Sequence, residues 1–151
     1  MVSAYIQDKE GEQLRIAIGS DHAGLPIKAP IARYLEFLGH EVVDVGPMSF
    51  DPDDDYPDFA AEVARKVANG EAERGIMMCG SGVGASVAAN KIVGVRAAVC
   101  HDVYSAHQGV EHDDMNVLCI GARIVVEELA KELVAAFAGA HFSGEERHQR
   151  R

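Results

Sequence analysis

The sequence predicts an open, doubly wound α/β sheet of five parallel strands with helices on both faces. Three observations lead there. From Leu14 onward, short apolar runs alternate with longer amphipathic segments. Most of the short runs are apolar at odd and even positions alike, as strands covered on both faces must be. The alternation continues without linker, internal repeat or low-complexity tract, apart from the acidic loop Asp51-Pro52-Asp53-Asp54-Asp55. The elements follow in chain order. Leu-Arg-Ile-Ala-Ile-Gly marks a strand over 14–19, and a helix over 26–38 opens on Pro26, whose fixed φ suits a first turn. Glu-Val-Val-Asp-Val-Gly marks a strand over 41–46. Phe59, Val63 and Val67 recur at four-residue steps in a helix over 58–68, before a strand over 75–78. A glycine-rich loop then leads to a helix over 84–91, a strand over 96–100 and a helix over 103–110. A last strand over 116–121 precedes a helix over 125–138, where Leu129, Leu133 and Phe137 repeat the four-residue step.

At 151 residues the chain is one domain, 14–151, preceded by a flexible extension over 1–13. A chain of this size removes roughly 70% of its unfolded surface from water, enough to form a core without disulfides or structural metals. With 48% hydrophobic and 25% charged residues it has the usual globular mixture, which argues against disorder. Twenty-four acidic against fourteen basic residues leave a net charge of −10, which disfavours a nucleic-acid partner. No run approaches the ~20 apolar residues of a membrane span, and the polar N-terminus is neither a secretory signal nor an anchor. Cys79, Cys100 and Cys119 are odd in number, lie in apolar runs and lack metal-ligand spacing. They fit a reduced, cytoplasmic protein without a zinc site.

In such sheets ligands bind beyond the carboxyl ends of the strands. The segments that fall there are Ser20-Asp21-His22-Ala23-Gly24, the acidic loop up to Tyr56, Cys79-Gly80-Ser81-Gly82-Val83-Gly84, His101-Asp102 and Arg123. Gly80, Gly82 and Gly84 allow backbone N–H groups to turn towards an anion, with a helix N-terminus behind them; a tight turn that needs glycine would look the same. The loop is no P-loop, because no Gly-Lys-Ser/Thr follows. It matches the loose dinucleotide pattern at Gly80, Gly82 and Ala85, but on the third strand instead of the first. Cys79, beside that helix start and Ser81, is placed for a lowered pKa and for work as a base; a buried small hydrophobe is the alternative, and it suits Cys100 and Cys119 better. Asp21-His22 can shuttle a proton or bind an anion, or Asp21 can cap the helix that follows. Glu111-His112-Asp113-Asp114 lacks a second His at helical spacing, so it is a poor metal site. The basic end Arg147-His148-Gln149-Arg150-Arg151 is a solvated tail or a phosphate clamp offered to a neighbouring subunit.

Together these segments, with Asp55-Tyr56-Pro57, Ala88-Ala89-Asn90-Lys91, His112-Asp113-Asp114-Met115-Asn116-Val117-Leu118 and Gly121-Ala122-Arg123, resemble the ribose-5-phosphate isomerase B family and its galactose-6-phosphate isomerase relatives. The matching segments run in family order from Leu14 to the end. The resemblance implies a Rossmann-like three-layer α/β/α fold, a homodimer or dimer of dimers with shared active sites, and aldose–ketose isomerisation of a sugar phosphate without metal or cofactor. Cys79 would move a proton between C1 and C2 through an enediolate, assisted by Ser81, with the N–H groups of Gly80 to Gly84 on the oxyanion. His112, with Asp21 nearby, would open the sugar ring. His22, Arg123, Arg147, His148 and Arg151 would hold the phosphate, some of them from the partner chain, and Tyr56 would line the pocket. Asp113 stands where many members carry Asn and bears on which sugar is preferred. The implied reaction is ribose 5-phosphate to ribulose 5-phosphate, in the pentose phosphate pathway. An allose, galactose or tetrulose phosphate is the alternative within the family, and a non-catalytic nucleotide-binding module the alternative outside it. The chain also stops at Arg151, where relatives continue into a further helical segment, and it opens with an extension many lack.

Overall fold

The computed structural model describes residues 11–151. Most of the expected extension therefore lies outside the described residues; Gly11, Glu12 and Gln13 are exposed and belong to no regular element. Five strands, β1 Arg15–Ser20, β2 Glu41–Asp44, β3 Arg74–Cys79, β4 Ala97–Val99 and β5 Val117–Gly121, form one sheet in the order β2-β1-β3-β5-β4. All four pairings are parallel. Helices α1 Leu25–Phe37, α4 Val103–Asp113 and α5 Glu127–Gly139 cover one face, and α2 Tyr56–Ala68 and α3 Val83–Ala89 the other.

The two-residue period of each strand sorts its side chains between two cores. Ile16, Ile18, Ile76, Met78, Leu118 and Ile120 meet Ile31, Leu35, Leu133 and Phe137 on one face. Ala17, Met77, Cys79, Val117 and Cys119 meet Ala60, Val63, Val67 and Ala85 on the other. This is why the central strands read as continuously apolar.

The chain leaves β1 towards one side of the sheet and β3 towards the other. The crevice between the carboxyl ends of β1 and β3 is therefore the switch point at which doubly wound sheets hold their ligands. Two cations, Lys28 buried and Arg74 part-buried, fix what surrounds the sheet. Lys28 of α1, 3% exposed, donates to Asp44 Oδ1 at 2.8 Å and to the Pro47 carbonyl, anchoring the start of the β2–α2 loop. Arg74, the first residue of β3, donates to the carbonyls of Phe137 and Ala140 at the end of α5 and lies over the Phe137 ring. Neither role has a sequence signature, because a lysine or arginine in an element looks solvated until its neighbours are known.

Some boundaries differ from expectation. β4 is only three residues long, and Asn90 explains how so short an edge is closed. Its amide donates to Ala97 O and accepts from Ala97 N, both at 2.8 Å, in the manner of a neighbouring strand. α4 runs on to Asp113 and stops where Asp114 takes a left-handed φ of 51°. The basic end is no free tail: residues Glu146–Arg150 form a short helix, α6, with His148 buried.

Candidate active site

At the carboxyl edge, β1 delivers Asp21 and His22. Asp21 is 6% exposed, and its Oδ1 accepts from the N–H groups of Ala23 (2.9 Å) and Gly24 (3.1 Å), shaping the turn into α1. Asp21 therefore does not cap the helix itself: the N-cap of α1 is Gly24, without a side-chain bond, and the carboxylate serves the turn before it. His22 is held by the acidic loop: Asp54 Oδ1 lies 2.7 Å from its Nδ1 and accepts its backbone N–H at 3.0 Å. That carboxylate holds His22 above the usual histidine value. The Asp21 charge acts in the same direction, while burial and the charge of Arg123 oppose. Asp54 was not singled out in the sequence, because nothing in a run of four aspartates says which one turns inward.

β3 ends in Cys79, whose Sγ accepts the Gly82 N–H at 3.1 Å. Gly82 makes this contact with φ at +81°, a conformation that glycine adopts without strain. Ser81 Oγ accepts from Val83 N at 3.3 Å at the start of α3. The loop is locked to the one after β5: Ala122 N donates to Cys79 O at 2.7 Å and Arg123 N to Gly80 O at 3.1 Å. This lays the Arg123 guanidinium against Gly80. Gly84 has no room for a side chain, since a Cβ there would fall 2.6 Å from Tyr56 Oη. Tyr56, the first residue of α2, thus forms a wall over the glycine loop. His101, after β4, accepts the Gly121 N–H on Nε2 at 2.9 Å and braces the same edge. The other thiols are unsuited to proton transfer near neutrality. Burial, with the Asp102 charge behind it, pushes Cys100 up to about 11, and burial pushes Cys119 higher still.

The remaining expected residues form a second cluster at the opposite edge. α4 starts beyond β4 and runs back against the strands, so His112 and Asp113 sit beside Arg96 and Asn116, where β4 and β5 begin. By the β3–β5 register, Val117 and Gly121 are about 13 Å apart along the strand. Within one chain, Asp21 and His112 therefore lie at opposite edges and are not neighbours. The His112 ring stacks on His148 at 4.1 Å between centroids. Gln108 Nε2 lies 3.0 Å from His112 Nδ1, and Ser143 Oγ contacts His148 Nδ1. Next to this stack is a cavity of about 360 Å³ lined by Arg96, Asp113, Phe142, His148, Arg150 and Arg151, among others. Arg147 turns aside and donates from Nε to Glu145 at 2.8 Å on the surface.

Among the described residues, Asp21, His22 and Asp54 bring their donor atoms within 4.8 Å of one another, the spacing of a possible cation site. The 2.7 Å between His22 Nδ1 and Asp54 Oδ1 is a hydrogen-bond distance. Two donors on one tetrahedral zinc sit about 3.3 Å apart. The arrangement suits an imidazole bound to a carboxylate better than a metal centre.

A glycine loop, a thiol at its mouth, the His22 and Arg123 side chains and a tyrosine wall at the switch point can bind a small phosphorylated ligand and move a proton on it. Comparison with known proteins points the same way. The family profile described as Ribose/Galactose Isomerase matches residues 16–151. Ribose-5-phosphate isomerase B of Escherichia coli K12 is 48% identical over 137 residues, covering 91% of each chain. The type B ribose 5-phosphate isomerase of Trypanosoma brucei superposes with a TM-score of 0.89 at 46% identity, covering 93% of this chain and 95% of that one. Ribose-5-phosphate isomerase B of Mycoplasma genitalium, solved with bound ribulose-5-phosphate, gives 0.86 at 46% identity over 91% and 90% of the two chains.

Proposed function

Because the chain belongs to the ribose/galactose isomerase family, we propose that it interconverts ribose 5-phosphate and ribulose 5-phosphate, with Cys79 as the base. The observation that carries this reading is the position of Cys79 at the switch point, its sulfur under the Gly82 N–H and the glycine loop flanked by His22 and Arg123. The thiolate removes the proton from C2 of the open-chain aldose. The C–H electron pair becomes the C1–C2 double bond, and the carbonyl π pair moves onto O1, giving an enediolate. Return of the proton from Cys79 to C1, with the O2 proton passing to O1 as the C2 carbonyl forms, gives the ketose. N–H groups of the Gly80–Gly84 loop serve the developing oxyanion, the group whose stabilisation lowers the barrier. Ser81 steadies the loop beside the thiol, and Tyr56 closes the pocket over Gly84.

The second cluster supplies what this edge lacks. His112 opens the sugar ring, Asp113 accepts from sugar hydroxyls, and Arg147, His148 and Arg151 add cations for the phosphate. They reach the Cys79 edge from a second copy of the chain, in a homodimer or a dimer of dimers. An isologous pair of copies, each offering both edges, makes two complete sites. Three unpaired thiols support a reducing compartment, the cytoplasm, where the reaction serves the pentose phosphate pathway. Among the described residues no helix is long and apolar enough to cross a membrane.

A panel of four-, five- and six-carbon sugar phosphates, run with and without chelator, tests the reading. The highest kcat/KM is expected for ribose 5-phosphate, with no loss on chelation. A higher value for a tetrulose, allose or galactose phosphate would sink the substrate assignment.

A further inference from the structure

We propose that Asp54, in the acidic β2–α2 loop, is the positioning residue of the phosphate site: it ties down His22 through backbone and ring together and leaves the Nε2 of that histidine for the phosphate. The inference rests on the reading of His22 as a phosphate ligand. Its geometry is independent of that reading.

A single carboxylate oxygen takes both the backbone N–H of His22, at 3.0 Å, and its ring Nδ1, at 2.7 Å. This double tie fixes χ1 and χ2 of the histidine, directs the Nδ1 proton into the protein and leaves Nε2 as the free nitrogen. The Phe50 ring stands edge-on to the imidazole at 6.2 Å and limits its swing. Asp54 is nearly out of water, with its side chain 8% exposed against 30% for His22, and its Oδ2 is buried without a partner. A buried carboxylate with one unpaired oxygen is costly unless a cation compensates it, and His22 is the group bonded to it.

The tautomer makes the charge matter. With Nδ1–H committed to Asp54, a neutral His22 presents a lone pair on Nε2, which repels a phosphate oxygen. A protonated ring presents a donor there. The charged groups facing His22 are Asp54 from the β2–α2 loop, Asp21 from its own turn and Arg123 from the β5–α5 loop. Of these Asp54 has the largest influence and raises the histidine, so the ring stays cationic to a higher pH than the ordinary 6.5. The acidic loop thereby provides the negative charge that keeps one phosphate ligand positive. A net charge of −10 and an anionic substrate are reconciled by one inward-turned aspartate.

Asp54→Asn isolates this role, because the amide oxygen can still accept both hydrogen bonds and only the charge is lost. With ribose 5-phosphate, KM should rise roughly tenfold, the worth of one charge-assisted hydrogen bond, at a pH above 6.5 where NMR finds His22 protonated in wild type and neutral in the variant, and come within about twofold of wild type at pH 6, with kcat little changed. The His22 imidazole, followed by NMR with and without inorganic phosphate, should titrate at lower pH in the variant. His22→Gln should raise KM across the whole range. If His22→Gln raises KM while Asp54→Asn shifts neither the titration nor the pH profile, the positioning role is overturned and the phosphate reading stands. If His22→Gln leaves KM and phosphate binding untouched, the phosphate reading itself fails, and the proposal with it.

Discussion

Arg74 lies far along the strands from Cys79, yet its removal should weaken substrate binding through the second cluster. Its guanidinium binds the carbonyls of Phe137 and Ala140, both residues fully or almost fully buried, where α5 ends and the segment carrying Ser143 and His148 begins. Those carbonyls are among the orphan acceptors every helix leaves at its C-terminus, and here one charged fork supplies their partners. Arg74→Met keeps an apolar stem against Phe137 and deletes both bonds. Hydrogen bonds to a charged group are worth about 1.5–3 kcal/mol each, so the loss should be about 3 kcal/mol even with water reaching part of the gap. For a chain of this length that is roughly 6–12 °C in Tm. Urea unfolding measures the first quantity and calorimetry the second. Because the anchor precedes His148, KM for ribose 5-phosphate should rise severalfold even at temperatures where the variant is fully folded. A loss below about 1 kcal/mol, or a folded variant with wild-type KM, would refute the reasoning.

Three further outcomes follow from the carboxyl edge. Cys79→Ala should fold, with a stability cost of about 1 kcal/mol, and lose about 10²–10⁴-fold in kcat; turnover within a few fold of wild type would remove Cys79 from the base role. Gly84→Ala must push the Tyr56 ring aside. Since Tyr56 is 39% exposed and free to move, stability should change by less than about 1 kcal/mol while KM rises, which paired unfolding and kinetic runs would show. The His22–Asp54 pair also makes stability depend on pH. His22 is raised in the folded state, so its contribution is complete below the unfolded value of about 6.5 and is lost as pH climbs through the folded value. The Tm gap between wild type and Asp54→Asn should therefore be widest near pH 6 and close towards pH 9; a constant gap would contradict the pairing.

The strands and their two-sided burial were legible because parallel strands between helices must be apolar throughout, and the glycine loop was legible because Gly82 takes a φ of +81° that suits glycine and Gly84 leaves the space that Tyr56 fills. The edge at which His112 lies was legible too, in hindsight, from topology: a helix after β4 must run back before β5 can start parallel to it. α4 thus carries part of the site about 13 Å along the sheet from the rest. Asp54, Lys28 and Arg74 were not legible. Each is a charged residue whose role depends on partners remote in sequence, and a chain alone does not distinguish an inward-turned carboxylate from its three neighbours in the loop. The closing helix Glu146–Arg150 was masked by its own composition, since five polar residues look solvated until one of them, His148, is seen buried against His112.

The central claim, an isomerase whose site takes Cys79 from one chain and His112 from another, is tested most directly by mixing two dead variants. Cys79→Ala and His112→Ala chains, co-refolded in equal amounts, should recover roughly a quarter of wild-type ribose 5-phosphate turnover, because half the pairs are mixed and each mixed pair holds one intact site. A mixture no more active than its two parents would contradict it.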